Sequence, residues 1–323
     1  MLKARNILFC PILCFLAACH HPVDDTGAFV IISECRLPGY SRDVDIQGGY
    51  AYIANDQGGL QIVSIADPES TFVVGSYVTQ KNFQGVSVRD TFAYIAVAAS
   101  DGGMMILNVS DRSNPLFAGQ DAWFYAYNIA APEGDTQYAY VAARYWFIVE
   151  DVSWPQYPSY VRRFSTPGNV HDLFVIDSIA YLVCEQMGLL VYNLQHPDST
   201  ALVSELDTPS NARSLFITGP YAYIADGYDG LVIVDLSDLD SPAIIGSYDT
   251  PGYAQGVSVQ DSLAFVADGS GGLQIINVGQ PAAPVLYGEI KTPYAYKVHT
   301  DNGLICLVDR DLGLVIIQEE TQP

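Results

Sequence analysis

The stretch Tyr221–Leu236 consists of two short apolar segments separated by a turn rich in glycine and aspartate. Tyr221–Ala225 is rich in β-favouring residues, and Asp226–Gly230 supplies the small residues that a chain reversal needs. The second segment, Leu231–Val234, is apolar at every position, so both of its faces must be covered. A buried helix is the alternative for such a run. The segment is short, β-branched and bounded by glycine, which favours a strand.

Related stretches recur seven times along the chain. They begin 41 to 46 residues apart, at Tyr50, Phe92, Tyr138, Ile179, Tyr221, Leu263 and Leu304. A repeat of this length with four short strands is typical of a propeller blade. The sequence therefore predicts an all-β fold, a seven-bladed β-propeller made of four-stranded antiparallel blades.

The fifth repeat shows how one blade divides into strands. We expect an inner strand at Ala212–Ile217, then strands at Tyr221–Ala225, Leu231–Leu236 and Ala243–Tyr248. Blades that stack face to face around an axis cover both sides of such strands. A flat sandwich would show more alternation of apolar and polar residues.

The two ends of the chain predict how the ring closes. The last repeat ends with its third strand, Gly313–Gln318, and has no outer strand after it. The missing piece matches Phe29–Leu37, which is followed by Pro38–Tyr40 just as an outer strand is followed by Pro251–Tyr253 in the fifth repeat. We therefore expect the N-terminal strand to complete blade seven and to cover an edge that would otherwise be free to aggregate.

The repeated strands also carry a family resemblance. Leu231–Asp235 reads LVIVD, and degenerate copies stand at Leu60–Ser64, Leu273–Asn277 and Leu314–Gln318. Over about residues 29–318 the chain resembles the LVIVD-repeat proteins, a group of bacterial and archaeal cell-surface propellers. The resemblance implies an architecture and a surface location, and it carries over no catalytic residue.

The first nineteen residues have the pattern of an export signal. Lys3 and Arg5 precede the apolar segment Ile7–Leu16, which is too short to span a membrane. Leu16–Cys19 resembles a bacterial lipobox, and in lipobox proteins the cysteine, here Cys19, is acylated. An ordinary signal peptide cleaved nearby is the alternative.

These features divide the chain into three parts. We expect a lipoprotein signal peptide at residues 1–18, a lipidated cysteine and polar tether at residues 19–28, and the propeller at residues 29–323. Membrane attachment through acylated Cys19 at the outer membrane or cell surface follows from this reading.

Charge and cysteine content narrow the classes of partner. The chain has 36 acidic and 14 basic residues, a formal net charge of −22. This charge argues against nucleic acid, because binding phosphates requires a basic surface. Three cysteines would remain in the propeller, Cys35, Cys184 and Cys306, and their wide spacing indicates neither a metal site nor a disulfide framework.

One polar or amphipathic residue recurs at the start of each inner strand. Convergent hydrogen-bonding groups are typical of a ligand site, and inner strands meet at the axis of a propeller. We therefore predict a ring of candidate ligand-binding residues at the mouth of the axial channel: Arg42, Gln84, Tyr127, His171, Arg213, Gln255 and Tyr296. The alternative is that these side chains only fill and hydrate the channel.

Blade three departs from the other blades. It contains all three tryptophans, and its turn at Ala143–Tyr145 is short and lacks glycine. We predict a surface for a protein or carbohydrate partner formed by Trp123, Tyr125, Tyr145, Trp146 and Trp154. Aromatic packing inside the blade is the alternative.

The turns between second and third strands carry acidic or amide side chains. They are Asn55, Asp56, Asp101, Asp226, Asp229, Asp268, Asp309 and Asp311. Calcium binding is one reading. No EF-hand spacing is present, so ordinary turn chemistry is favoured and no metal or cofactor is predicted.

The sequence offers little sign of catalysis. It contains no zinc-protease motif, nucleophile elbow or phosphate-binding loop, and His171 next to Asp172 has no obvious nucleophile beside it. We therefore expect an exported, lipid-anchored binding or scaffold module of the cell envelope. The alternative is a hydrolase or lyase acting at the channel mouth around Arg42, His171 and Arg213.

Overall fold

A computed structural model describes residues 29–131, 134, 137–196 and 201–320. The predicted signal peptide, Cys19 and tether lie outside the described residues. Within them the chain forms seven four-stranded antiparallel sheets. No described helix is both long enough and apolar enough to span a bilayer.

The strands follow one another from the inner to the outer edge of each blade. Blade one holds β2 (Asp43–Gln47), β3 (Tyr50–Ala54), β4 (Leu60–Ser64) and β5 (Phe72–Tyr77). Blade two holds β6 (Phe83–Arg89), β7 (Phe92–Val97), β8 (Gly103–Asn108) and β9 (Leu116–Asp121). Blade three holds β10 (Asn128–Ala130), β11 (Tyr138–Ala143), β12 (Trp146–Asp151) and β13 (Ser159–Ser165).

The remaining blades repeat this order. Blade four holds β14 (Val170–Ile176), β15 (Ile179–Cys184), a 3₁₀ turn (Glu185–Met187), β16 (Gly188–Asn193) and β17 (Ala201–Leu206). Blade five holds β18 (Ser214–Thr218), β19 (Tyr221–Ala225), β20 (Leu231–Asp235) and β21 (Ala243–Tyr248). Blade six holds β22 (Gly256–Gln260), β23 (Leu263–Ala267), β24 (Leu273–Asn277) and β25 (Val285–Ile290). Blade seven holds β26 (Ala295–Asp301), β27 (Leu304–Asp309), β28 (Gly313–Glu319) and the N-terminal β1 (Phe29–Cys35).

The predicted repeat is confirmed strand by strand. Each of the seven residues chosen from the sequence as the start of a repeat is the first residue of the second strand of its blade. The second and fourth strands of the fifth repeat, Tyr221–Ala225 and Ala243–Tyr248, have the predicted bounds. The inner strand begins at Ser214 instead of Ala212, because the residues just before it form a bulge at the channel mouth.

The strands are apolar on both faces because each blade packs against two neighbours. Tyr52 and Ile62 of blade one form a core with Ile95 of blade two. The next residues along the same strands, Ile53 and Val63, pack against blade seven. Alternate side chains of one strand thus fill two different interfaces.

The N-terminal strand closes the ring as predicted. β1 pairs antiparallel with β28 from Phe29 opposite Glu319 to Cys35 opposite Leu314, with an irregularity between Ile31 and Ser33. The Phe29 ring also packs edge-on against Phe265 of blade six, with centroids 5.6 Å apart. Hydrogen bonds and apolar burial therefore join the first described residues to the last blade.

A buried glutamate breaks the pattern in blade three. Glu150 is the counterpart of Val234 in the LVIVD strand. Glu150 lies opposite Ala139, and Val234 lies opposite Ala222, which is the equivalent alanine of blade five. Glu150 is fully buried, and neither carboxyl oxygen has a hydrogen-bond partner among the described residues. Burial, together with the nearby charge of Asp121, raises the pKa of Glu150 to about 9.

The latch formed by β1 can be tested by truncation. Removing residues 29–37 exposes the edge of β28 and the apolar side chains that pack beneath β1. We expect the melting temperature to fall by at least about 10 °C, since several kcal/mol of pairing and burial are lost. The matched control is a chain that begins at residue 29. An unchanged melting temperature in the shorter chain would contradict closure by β1.

Replacing Glu150 should change the pH dependence of stability. Its folded pKa lies above the unfolded value, so the unfolded state releases the proton first and the wild type loses stability as pH rises from about 4.5 to about 9. At pH 7 this loss is on the order of 3 kcal/mol. We expect Glu150→Val, and to a smaller extent Glu150→Gln, to raise the melting temperature more at pH 8 than at pH 5. An increase that is equal at both pH values would show that the carboxyl group does not titrate in this way.

Candidate functional site

The seven predicted ring residues surround one cavity at the axis. All of them line a space of about 120 Å³ at the end of the propeller where outer strands connect to the next inner strands. We call this end the top face. The turns between second and third strands lie at the same end.

A backbone irregularity aims each of these side chains into the channel. Gln84, His171 and Tyr296 fall at register shifts between the first two strands of their blades. In another blade, the Arg213 amide donates to the Ala225 carbonyl, although Ala225 already lies opposite Ser214. Bulges reorient side chains in this way, and here they point one residue per blade at the axis.

Neighbouring ring residues contact one another in pairs. Arg42 lies over the Tyr296 ring at 5.0 Å and donates a hydrogen bond to Asp56 at 3.1 Å. Tyr127 stacks on His171 with centroids 5.4 Å apart. The ring is therefore a polar layer in which the charge of Arg42 is already paired.

His171 lies between a carboxylate and a guanidinium group. Its Nε2 is 2.8 Å from Glu185 Oε1 and 3.0 Å from Arg213 Nη1. Burial, followed by the positive charge of Arg213, lowers the pKa of His171, so the ring is neutral at pH 7. A neutral Nε2 can either donate to Glu185 or accept from Arg213, but it cannot do both.

The floor of the cavity is a buried ion pair that crosses the axis. Lys297 of blade seven donates to Asp172 of blade four at 2.7 Å and to Ser214 of blade five at 3.1 Å. Asp172 also accepts hydrogen bonds from the Asn128 side chain and the Leu215 amide. A single carboxylate thus joins groups from four blades.

The floor separates the mouth from a second chamber. Asp43, Asn128, Asp172 and Lys297 line both the mouth cavity and a space of about 200 Å³ below it. The lower chamber is lined largely by apolar side chains such as Val86 and Leu215. A ligand entering from the top face therefore meets a charged floor.

The pKa shifts at the floor follow from burial and pairing. Burial acts to lower the pKa of Lys297, but the charges of Asp172 and Asp43 outweigh it and raise that pKa. Burial raises the pKa of Asp43 to about 6, although Lys297, 3.9 Å away, opposes the shift. Lys297 therefore stays charged at neutral pH and depends on its carboxylate partners.

Two glycines make room for the floor. Gly85 and Gly256 occupy the same position in their inner strands as Asp172 does in β14. A Cβ at Gly85 would lie 2.7 Å from the Asn128 side chain, and one at Gly256 would lie 2.9 Å from the Lys297 Cα. Asn128 and Lys297, on the adjacent inner strands, occupy the space that a side chain at Gly85 or Gly256 would need.

The acidic turns hold the loops of their own blades. Asp226 accepts hydrogen bonds from the Thr208 hydroxyl at 2.7 Å and the Ser210 amide at 2.9 Å. Asp268 binds Thr250 and Gly252 in the same way. Among the described residues, no group of three or more His, Cys, Asp or Glu side chains is placed to hold a metal ion. The geometry fits the turn chemistry read from the sequence.

The aromatic residues of blade three lie at two opposite ends of the propeller. Trp123, Tyr125, Tyr145 and Trp146 line a hollow of about 270 Å³ on the top face. Trp154 is 73% exposed but lies in the turn between β12 and β13, at the end of the strands remote from Trp146. The five predicted residues therefore do not form one surface, and four of them do.

Two arginines complete this hollow, and the sequence analysis missed them. Arg163 lies over Trp146 at 4.3 Å and near Trp123 at 5.5 Å. Arg144 lies over Tyr125 at 5.4 Å. The sequence did contain a signal for them, because two arginines stand among the aromatic residues of blade three in a chain that is otherwise strongly acidic.

The three cysteines of the propeller are buried and unbonded. Burial raises the pKa of Cys184 and of Cys306 to about 12, so both remain thiols at neutral pH. They belong to the packed interior and not to a reactive site.

Removing the charge at the floor should destabilise the whole ring. Lys297→Met leaves Asp172 and Asp43 buried without a counter-charge, which typically costs about 3 to 5 kcal/mol. We expect a large drop in the urea midpoint at pH 7. The matched control is Lys291→Met, because the Lys291–Glu289 pair is exposed and contributes about 1 kcal/mol or less. Equal effects of the two substitutions would show that the floor does not hold the blades together.

Comparisons with known proteins agree with the architecture. The computationally designed Ika8 protein, known from a crystal structure, resembles this chain with a TM-score of 0.62 and 7% sequence identity, covering 88% of this chain and 100% of that one. At this identity the likeness concerns the fold alone. No sequence among the curated proteins matches the chain. The LVIVD repeat matches residues 38–79, 82–120, 125–166, 209–250 and 251–292, which is more than half of the chain. The protein therefore belongs to the LVIVD-repeat family.

Proposed function

We propose that the protein is an exported, lipid-anchored binding module whose axial mouth takes a small polar group. The observation that carries the proposal is the convergence of one polar or amphipathic side chain from every blade on one cavity. A concave site with several convergent hydrogen-bonding groups is the usual form of a ligand site.

The electrostatics of the mouth favour an uncharged ligand. Arg42 is paired with Asp56, Lys297 with Asp172, and Arg213 lies 3.8 Å from Glu185. His171 is neutral because of burial and Arg213. A charged ligand would disturb these pairs, whereas hydroxyl groups can donate to and accept from the same side chains.

The size of the mouth limits the ligand further. Its volume of about 120 Å³ is below the roughly 300–1,000 Å³ of pockets that enclose a drug-sized molecule. A small polyol, or one such group projecting from a larger partner, fits this space.

A thermal-shift experiment tests the mouth. The probes are glycerol, arabinose and glucose at concentrations up to 100 mM, and a ligand that binds only the folded state raises the melting temperature. We expect at least one probe to do so, and Arg42→Ala combined with Arg213→Ala to abolish the increase. Arg36→Ala, an exposed arginine at the end of β1, is the control and should respond as the wild type does. An equal response in the double variant would refute binding at the mouth.

The anchor is tested by fractionation. We expect the native protein to be recovered with the membrane and labelled by radioactive palmitate. Cys19→Ser should lose both properties, because serine has no sulfur atom to carry the lipid and stable attachment requires the acyl chains. Cys35→Ser serves as the control for an unrelated cysteine. A Cys19→Ser protein that stays entirely with the membrane would contradict the lipid anchor.

One observation favours catalysis as a second candidate. His171, which lines the cavity, is hydrogen-bonded to Glu185 and lies next to the guanidinium of Arg213, which is an arrangement that proton transfer in a hydrolase or lyase can use. The described residues that line the mouth include no serine, threonine or cysteine. Turnover of a simple ester or glycoside that His171→Gln abolishes would favour the enzyme over the binding module.

A further inference from the structure

The hollow on the top face of blade three has a composition unlike the rest of the surface. We call it the blade-three shelf and define it by Trp123, Tyr125, Arg144, Trp146 and Arg163. Trp123 and Tyr125 are 41% and 39% exposed, so part of each ring is open to solvent although Arg163 and Arg144 lie over them. Edge-on contacts with Phe124 and Tyr160 hold the Trp123 ring in place.

Among the residues that the structure describes, the two arginines of the shelf have no acidic partner. Neither guanidinium forms an ion pair or a side-chain hydrogen bond with any described residue. Arg42, Arg213 and Arg310 each have a carboxylate partner, whereas Arg112 and Arg162 also form no ion pair with a described residue. What distinguishes Arg144 and Arg163 is that both line the same hollow, and in a chain with 36 acidic and 14 basic residues this pairing favours an anion there.

The backbone of blade three is adapted to present one of these arginines. The other six blades place a glycine with positive φ just before or at the start of the third strand, for example Gly59 and Gly230. Blade three replaces that longer turn with Arg144 and Tyr145, and Arg144 adopts a φ of 44°. A side chain held in this region, where glycine would be unstrained, indicates a role for the side chain.

The shelf requires two properties of its ligand at once. Guanidinium groups recognise carboxylates through paired hydrogen bonds, and the exposed parts of the Trp123 and Tyr125 rings suit a flat apolar surface. An aspartate or glutamate side chain supplies the carboxylate without the flat face. A sugar ring that bears a carboxylate supplies both, and the hollow of about 270 Å³ suits one or two such rings.

We propose that the blade-three shelf binds uronic-acid units of an anionic polysaccharide. The carboxylate lies between Arg144 and Arg163, and the carbon face of the sugar ring lies on Trp123 and Tyr125. The net charge of −22 repels a polyanion at long range, but at physiological ionic strength this repulsion is screened beyond about 8 Å. The shelf uses no residue of the axial ring, so this inference is independent of the proposed function of the mouth.

The test is calorimetric titration in 0.15 M salt. The probes are trimers of galacturonic acid and of mannuronic acid, with trigalacturonate methyl ester as the uncharged comparison and hexaglutamate as the acidic peptide. We expect at least one uronate trimer to bind about tenfold or more tightly than either comparison, since the shelf then uses both guanidinium and aromatic contacts.

Variants locate the site and separate binding from folding. Arg163→Gln, Arg144→Gly and Trp123→Ala should each weaken uronate binding by about tenfold or more. Arg144→Gly should not lower the melting temperature, because glycine accepts the positive φ. Arg310→Gln is the matched control, since Arg310 also stacks on a tyrosine, at 4.5 Å, but is paired with Asp311. It should bind as the wild type does.

Three results would overturn the proposal. They are absence of binding by both uronate trimers, binding that the three shelf variants leave unchanged, and equal or tighter binding of hexaglutamate, which would indicate an acidic protein partner instead. The double variant Arg42→Ala and Arg213→Ala should retain uronate binding. A failure at the mouth and a failure at the shelf can therefore be told apart.

Discussion

The ion pair between Lys297 and Asp172 is the interaction on which the centre of the molecule depends. Inner strands of neighbouring blades do not pair with one another through a continuous ladder, so their inward edges need other partners. Asp172 provides one by accepting from Lys297 across the axis and from the Leu215 amide of the next blade. Asp43 does the same for the Val86 amide. Side-chain carboxylates thus join blades one to five and blade seven around the axis, and blade six is joined to blade seven through the Ser258 and Thr300 hydroxyls.

The same arrangement creates the cavity above it. Because the floor is charged, paired and buried, it closes the channel, and the bulged residue of each inner strand lies directly over it. The local irregularity that interrupts pairing between the first two strands is therefore what gives the top face a polar mouth.

Blade three shows what happens when a repeat departs from its pattern. Glu150 replaces an apolar residue between the blades, and Arg144 stands in backbone geometry that suits glycine. Each change costs stability, on the order of 1 to 3 kcal/mol. The other blades keep the glycine before or at the start of the third strand and bury no glutamate in that strand, and their packing allows one blade to carry such residues.

The sequence alone determined the number of blades, the bounds of most strands and the closure by Phe29–Cys35, because repeat spacing and apolar patterning are local properties of the chain. It also identified the ring position from Arg42 to Tyr296, since equivalent positions of a repeat must meet at the axis. Only the tertiary structure decided that Lys297 reaches Asp172, 125 residues away, and that Arg163 joins Trp123 while Trp154 lies at the opposite end. These contacts depend on how strands from different parts of the chain are placed in three dimensions, and no spacing along the chain encodes that placement.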